Sequence, residues 1–133
     1  MQLKVRDWMT DLPVFIDPEC TISEALMVMR RRNLNSLIVK KKEEHLALGI
    51  ITNIDICDHI VAHEKSPKKV KVKDIMSSPL ITVNQDLNIQ ECAAKMSEKR
   101  IHHMPVVNDK GDIVGMISAT DFLWVAEMIE NGD

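Results

Sequence analysis

Residues 115–121 read GMISATD, and residues 49–55 read GIITNID. Each stretch sets a glycine, a short apolar run, a hydroxyl residue and an aspartate in the same order. The spacing from hydroxyl to carboxylate is identical, Thr52 to Asp55 and Ser118 to Asp121. The echo extends through the chain. Displacing the sequence by 67 residues sets Val5 on Val72, Asp7 on Asp74, Met9 on Met76, Val14 on Ile81, Ile22 on Ile89, Met29 on Met96 and Val39 on Val106. One residue drops out in the turn that follows, and at an offset of 66 Gly49 falls on Gly115, Ile51 on Ile117 and Asp55 on Asp121. Two copies of one unit account for this, and self-similarity of this kind decides the fold before any single element does.

Each copy reads as the same series. VFID and LITV are short strands rich in β-branched residues. TISEALMVMRRRN has Ile22, Ala25, Leu26 and Met29 at helical spacing, and Thr21 with Glu24 predicts a capping box that Asn88 with Glu91 repeats. The strands SLIVK and MPVVN come next, then a turn, then LALGIIT and DIVGMIS. The second turn, NDKG, has hairpin chemistry. Helices over about 54–63 and 120–129 close the copies. The unit is therefore strand, helix, strand, strand, helix, an α/β (α+β) fold. One copy is too small to bury its own sheet and helices, and two sharing a core are expected. The boundaries fall at 1–64 for the first repeat, 65–71 for an exposed basic linker and 72–133 for the second repeat.

Composition bounds the function. Hydrophobic residues make up 45% and charged residues 28%, an ordinary globular balance, while aromatics are only 3% against nine methionines. Ile, Val, Leu, Ala and Met must therefore build the core, with Met27, Met29, Met96, Met104 and Met116 as its filling. A net charge of −3 points away from nucleic acid, and no apolar run is long enough to span a membrane. Three scattered cysteines, Cys20, Cys57 and Cys92, and an N-terminus without an apolar stretch predict reduced thiols in a cytoplasmic protein.

The doubled motif has a definite chemistry. Thr52 and Ser118 end strands, and Asp55 and Asp121 fall in the first turn of the next helix, where free backbone N–H groups and the positive end of the dipole suit phosphate. A hydroxyl there can donate to phosphate, and an ionised carboxylate, being acceptor-only, suits a ribose diol. Gly49 and Gly115 allow close backbone approach. The same residues also serve as helix caps, and the two roles are compatible.

The pre-strand segments VRDWMT and VKDIMS, the middle strand HHMPVVND and the junctions GIITNID and GMISATD together resemble the CBS (cystathionine-β-synthase-type) domain, a family found as tandem pairs. The resemblance covers about Lys4 to Trp124. The first copy departs at NSLIVKKKEEH, where the family favours a Pro-Val-Val-like strand and a short turn. The resemblance implies two α/β units related by pseudo-twofold symmetry, with each ligand cleft completed by the opposite repeat. It implies an adenosine-containing ligand such as AMP, ADP or ATP, a homodimer, and regulation of an effector protein by population shift. The favoured site would use Thr10, Pro13, Phe15, Leu34, Asn35 and Ser36 with His103, Ser118, Thr120 and Asp121. The second would use Thr52, Asp55, Ser77, Leu80 and Thr82 with Ile101 and His102. Thr120 gives the Asp121 copy an extra hydroxyl where the first copy has Ile54.

No nucleophile–base pair, metal cage or phosphate loop is legible, so neither catalysis nor a resident cofactor or metal is expected. The i, i+4 pair His59 and His63 beside Cys57 is the nearest approach to a metal site, and solvent or the helix dipole accounts for it better. Lys65, Lys68, Lys69, Lys71 and Lys73 read as a solvated linker face. The function expected is an adenine-nucleotide sensor without catalysis. A protein-interaction or dimerisation module with degenerate ligand sites is the alternative.

Overall fold

The computed structural model describes residues 3–131. In chain order its main elements are β1 (Thr10–Asp11), β2 (Phe15–Ile16), α1 (Ile22–Arg32), β3 (Ser36–Val39), β4 (Gly49–Thr52), α2 (Asn53–Ile56), α3 (Val72–Ile75), β5 (Val83–Asn84), α4 (Ile89–Lys99), β6 (His103–Val107), β7 (Ile113–Ser118) and α5 (Asp121–Asn131). These fall into two compact units. One is Val14–Ile81; the other joins the described residues before Val14 to those after Ile81.

In the Val14–Ile81 unit the sheet order is β2-β3-β4, with β2 parallel and β4 antiparallel to β3. The segment after α3 extends it, Ser77 exchanging both backbone hydrogen bonds with Ile50 at 2.8 and 3.0 Å. In the other unit the order is β1-β7-β6-β5, with β1 antiparallel to β7 and β5 parallel to β6. Thr10 lies opposite Met116 there, as Ser77 lies opposite Ile50. Each unit thus completes its sheet with the opening segment of the other repeat. The exchange continues at the helices. Ile22 N–H donates to Val70 and Ser23 N–H to Pro67, while in the other unit Ile89 N–H donates to Leu3 and Val5 N–H to Leu87.

The helices form for the expected local reasons and bury matching faces. Thr21 Oγ1 accepts from the Glu24 N–H at 3.1 Å and Glu24 reaches back to the Thr21 N–H, the predicted capping box. Asn88 differs: its side chain accepts from the Gln90 N–H at 2.7 Å, and no reciprocal bond from Glu91 is present among the described residues. Asn88 carries its acceptor oxygen one bond further out than Thr21 and closes on the N–H two residues on, so that expectation is corrected. Both helices end on a left-handed residue, Asn33 at φ 53° and Arg100 at φ 54°. Ile22, Ala25 and Met29 of α1 are buried, as are their counterparts Ile89, Cys92 and Met96 of α4. Each buried Ile or Leu contributes about 1.5–3 kcal/mol.

Several expected boundaries shift. The first strands shrink to residue pairs, Phe15–Ile16 and Val83–Asn84. The helix expected over 54–63 is α-helical only through Ile56 and continues as a π-helical turn, Cys57–Val61. Met29, Met96 and Met104 are core residues, but Met27 is 49% exposed, because it falls on the outer face of α1. Asn108 caps the NDKG turn by accepting from the Lys110 and Asp112 N–H groups, with Gly111 at φ 84°.

The linker lysines divide into two kinds. All five are exposed, and Lys71 and Lys73 in addition each donate to Glu19 at 2.8 Å and close the exchanged segment onto its host unit. The equivalent clasp in the other unit, 67 residues away in sequence numbering, joins Lys4 and Arg6 to Asp86. The hydrogen bonds from Lys71 and Lys73 hold the Glu19 carboxyl down at about 2. Because the folded value lies below the unfolded one, this stabilisation is complete above the ordinary carboxylate range and is lost as pH falls from about 4.3 toward 2. Glu19→Gln is accordingly expected to flatten acid unfolding between those pH values. The difference from wild type should shrink in about 1 M salt, where the screening length is about 3 Å. Parallel pH melts at low and high salt check this.

Candidate functional site

The residues expected at the two sites are distributed over both units. Phe15, Leu34, Asn35, Ser36, Thr52, Asp55, Ser77 and Leu80 belong to Val14–Ile81; Thr10, Pro13, Thr82, Ile101, His102, His103, Ser118, Thr120 and Asp121 belong to the other.

In Val14–Ile81, Thr52 leaves β4 in extended conformation and caps the turn that follows. Its Oγ1 accepts from the Asp55 N–H at 3.2 Å and donates to Asp55 Oδ2 at 3.1 Å, and the Thr52 N–H donates to the same oxygen at 2.9 Å. The other carboxylate oxygen, Oδ1, accepts from Ser77 Oγ at 2.9 Å. Asp55 is buried, so these bonds replace the water it has lost. Ser36 lies across the ladder from Thr52, and the Asn35 carbonyl accepts from the Asn53 N–H. Leu34 packs against the core, Leu80 is half-buried, and Phe15 is 42% exposed with the Lys40 ammonium 5.2 Å above its ring. Ser77 was predicted as a site residue, but its bond to the aspartate was not legible in the sequence.

In the other unit Ser118 ends β7. Its N–H donates to Asp121 Oδ2 at 2.8 Å and its Oγ to the same oxygen at 3.3 Å. Asp121 Oδ1 has no hydrogen-bond donor among the described residues. Burial pushes the Asp121 carboxyl above its ordinary value, against the opposing pull of the Ser118 bonds. Helix α5 begins at Asp121, so this aspartate opens its helix where Asp55 is already its helix's third residue. Thr120 is exposed just before it. His103 opens β6 directly opposite Ser118, and His102 lies before the strand and is exposed.

A cleft of about 440 Å³ adjoins this turn. Ile101 and His102 line it, together with Met96, Arg100, Ala119 and Phe122, which sequence reasoning missed. Helix-face spacing from Met96 to Arg100 was the available signal for two of them. Thr82 contributes its carbonyl to the Lys95 ammonium at 2.9 Å. Thr10 is exposed in β1, and Pro13 is half-buried. Among the described residues no three His, Cys, Asp or Glu side chains are grouped to hold a metal ion, and no helix is long and apolar enough to cross a membrane.

Comparison with known proteins identifies the arrangement. The CBS domain family model matches twice, over residues 5–62 and 72–127. The chain is 38% identical over 104 residues to the CBS domain-containing protein CBSX3, mitochondrial, of Arabidopsis thaliana, covering 76% of this chain and 50% of that one. It spans about half the length of such curated relatives. Among solved structures, the hexameric CBS-CP12 protein from bloom-forming cyanobacteria superposes with a TM-score of 0.87 at 30% identity, over 96% of this chain and 73% of that one. The CBS domain pair of MJ0100, in complex with 5′-methylthioadenosine and S-adenosyl-L-methionine, gives 0.83 at 26% identity over 96% and 98%. With both matches falling on the two sequence repeats, the chain belongs to the CBS-domain family and carries the domain as a tandem pair.

Proposed function

We propose that this CBS pair is a regulatory module that binds an adenosine-containing ligand, an adenine nucleotide such as AMP, ADP or ATP in the first place, and catalyses nothing itself. The observation that carries the proposal is the Ser118–Asp121 turn, whose carboxylate is fixed through one oxygen while the other has no donor among the described residues. A half-buried acceptor in that state suits the 2′- and 3′-hydroxyls of a ribose. By the family resemblance, Thr120 and His103 would add contacts to a phosphate. The two ligands of the MJ0100 pair share adenosine and lack phosphate, which is why the ribose seat weighs more here than the phosphate seat. The three cysteines are unpaired, which fits a reducing compartment such as the cytoplasm.

A second reading, an interaction or dimerisation module, draws on α5, where Leu123, Trp124 and Ile129 are 66%, 60% and 54% exposed. Covering them with a second copy or an effector protein is compatible with ligand binding.

Thermal unfolding against AMP, ADP, ATP, S-adenosylmethionine, NAD and GTP separates the readings. A ligand at about 100 times its Kd adds roughly 2.7 kcal/mol, a shift of several degrees for a chain of this size. Adenosine-containing ligands should shift the melt and GTP should not. A flat response across the panel would leave the interaction module as the better account.

A further inference from the structure

The two hydroxyl–carboxylate turns share a sequence but differ in what already occupies them. Both oxygens of Asp55 are engaged, Oδ2 by Thr52 and Oδ1 by Ser77, and the carboxylate is buried. Asp121 is engaged only through Oδ2. The difference traces to the exchanged opening segments. Ser77 and Thr10 are equivalent under the 67-residue shift, and each lies in the strand-like segment beside the strand that leads into the aspartate's helix. Ser77 turns its hydroxyl onto the aspartate, whereas Thr10 makes no side-chain hydrogen bond among the described residues.

Ser77 is also held in place. Its backbone exchanges two hydrogen bonds with Ile50, and its carbonyl oxygen lies where a Cβ on Gly49 would be, at 2.3 Å. With its backbone fixed that way, the Ser77 hydroxyl has a single side-chain rotation to order, a small cost when it competes with an incoming ribose hydroxyl.

We infer that Ser77 is a latch that keeps the Asp55 seat self-occupied, so that the chain fills its Asp121 seat first and holds a second adenosine-containing ligand at Asp55 only weakly. This rests on the function proposed above. A diol arriving at Asp55 must displace the Ser77 hydroxyl from Oδ1, and a hydrogen bond to a charged group weighs about 10- to 100-fold in affinity. Ser77 is then the residue that makes two nearly identical sequence motifs unequal in binding.

Two measurements test this on the whole chain. In calorimetric titrations with AMP and with S-adenosyl-L-methionine, wild type should take one equivalent, which Asp121→Ala abolishes. Ser77→Ala should take a second equivalent, or bind it at least about 10-fold more tightly. In denaturant unfolding, Ser77→Ala and Asp55→Ala should be non-additive, with Asp55→Asn in reserve if the alanine variant does not fold, while Thr10→Ala and Asp121→Asn should add. Two equal sites in wild type, a Ser77→Ala variant that neither gains a second equivalent nor tightens it, or additivity of Ser77 with Asp55 would each overturn the latch. Non-additivity with no probe bound by any variant would have a different meaning. It would preserve the Ser77–Asp55 bond as a structural tie, refute the order of filling, and locate the failure in the ligand-binding function itself.

Discussion

Gly49→Ala is expected to lower the melting temperature by on the order of 10 °C, the larger of two unequal glycine effects. A methyl group at this position would meet the Ser77 carbonyl oxygen at 2.3 Å, well inside contact distance, and the obstructing atom is backbone. That backbone is fixed by its two hydrogen bonds to Ile50, so it can retreat only by breaking the pairing that completes the sheet. Overpacking of this kind costs about 3 kcal/mol or more when the neighbour cannot yield. The equivalent Gly115 faces the Met9 sulfur and the Thr10 carbonyl oxygen, both at 2.7 Å. The thioether can swing away, which leaves one backbone clash at a longer distance, so Gly115→Ala should cost less, about 1–3 kcal/mol. Circular-dichroism melts of both variants decide it. A Gly49→Ala protein melting within about 2 °C of wild type would mean that the segment around Ser77 does not lie against β4 as described.

That pair of glycines also shows what the sequence could and could not convey. Their repetition was legible, and close backbone approach followed from the residue type. Which backbone approaches was not legible: it is the opening segment of the other repeat, Ser77 on Gly49 and Thr10 on Gly115. Two copies of one sequence make two chemically equivalent grooves, and periodicity alone does not say which segment fills which. The same limit applies to Glu19, an unremarkable surface acid until Lys71 and Lys73 are brought to it from 52 and 54 positions away. Local signals fared better. The Thr21–Glu24 box, the turn at Asn108 and the buried faces of α1 and α4 depend on residues a few positions apart, and these agree with the structure. The π-helical turn at Cys57–Val61 has no spacing signature distinct from an α-helix, so it went unseen.

Replacing the two motif aspartates should separate stability from binding. Asp55→Ala removes a buried acceptor of three hydrogen bonds and strands the buried Thr52 N–H, so a loss of about 2–3 kcal/mol is expected. Asp121→Asn should cost far less at neutral pH and can even stabilise. Its carboxyl is raised by burial, which means the fold disfavours the ionised form, and a neutral amide can still accept from the Ser118 N–H. The sign with pH follows from the same shift. The raised folded value makes the charged carboxylate a cost above it, a cost that vanishes as pH falls through that value into the ordinary carboxylate range. Wild type should therefore gain on Asp121→Asn as the solution is acidified, whereas Glu19 drives the whole chain the other way at still lower pH. Binding should follow the opposite ranking. Asp121→Asn loses the charged acceptor proposed for the ribose and should weaken an adenosine-containing ligand by about 10- to 100-fold. Asp55→Asn should leave the first equivalent nearly unchanged. Melts at pH 7 and pH 4 beside titrations at pH 7 read all of these at once. A variant at Asp121 that is as tight as wild type, or a variant at Asp55 that loses the first equivalent, would move the primary seat to the other copy.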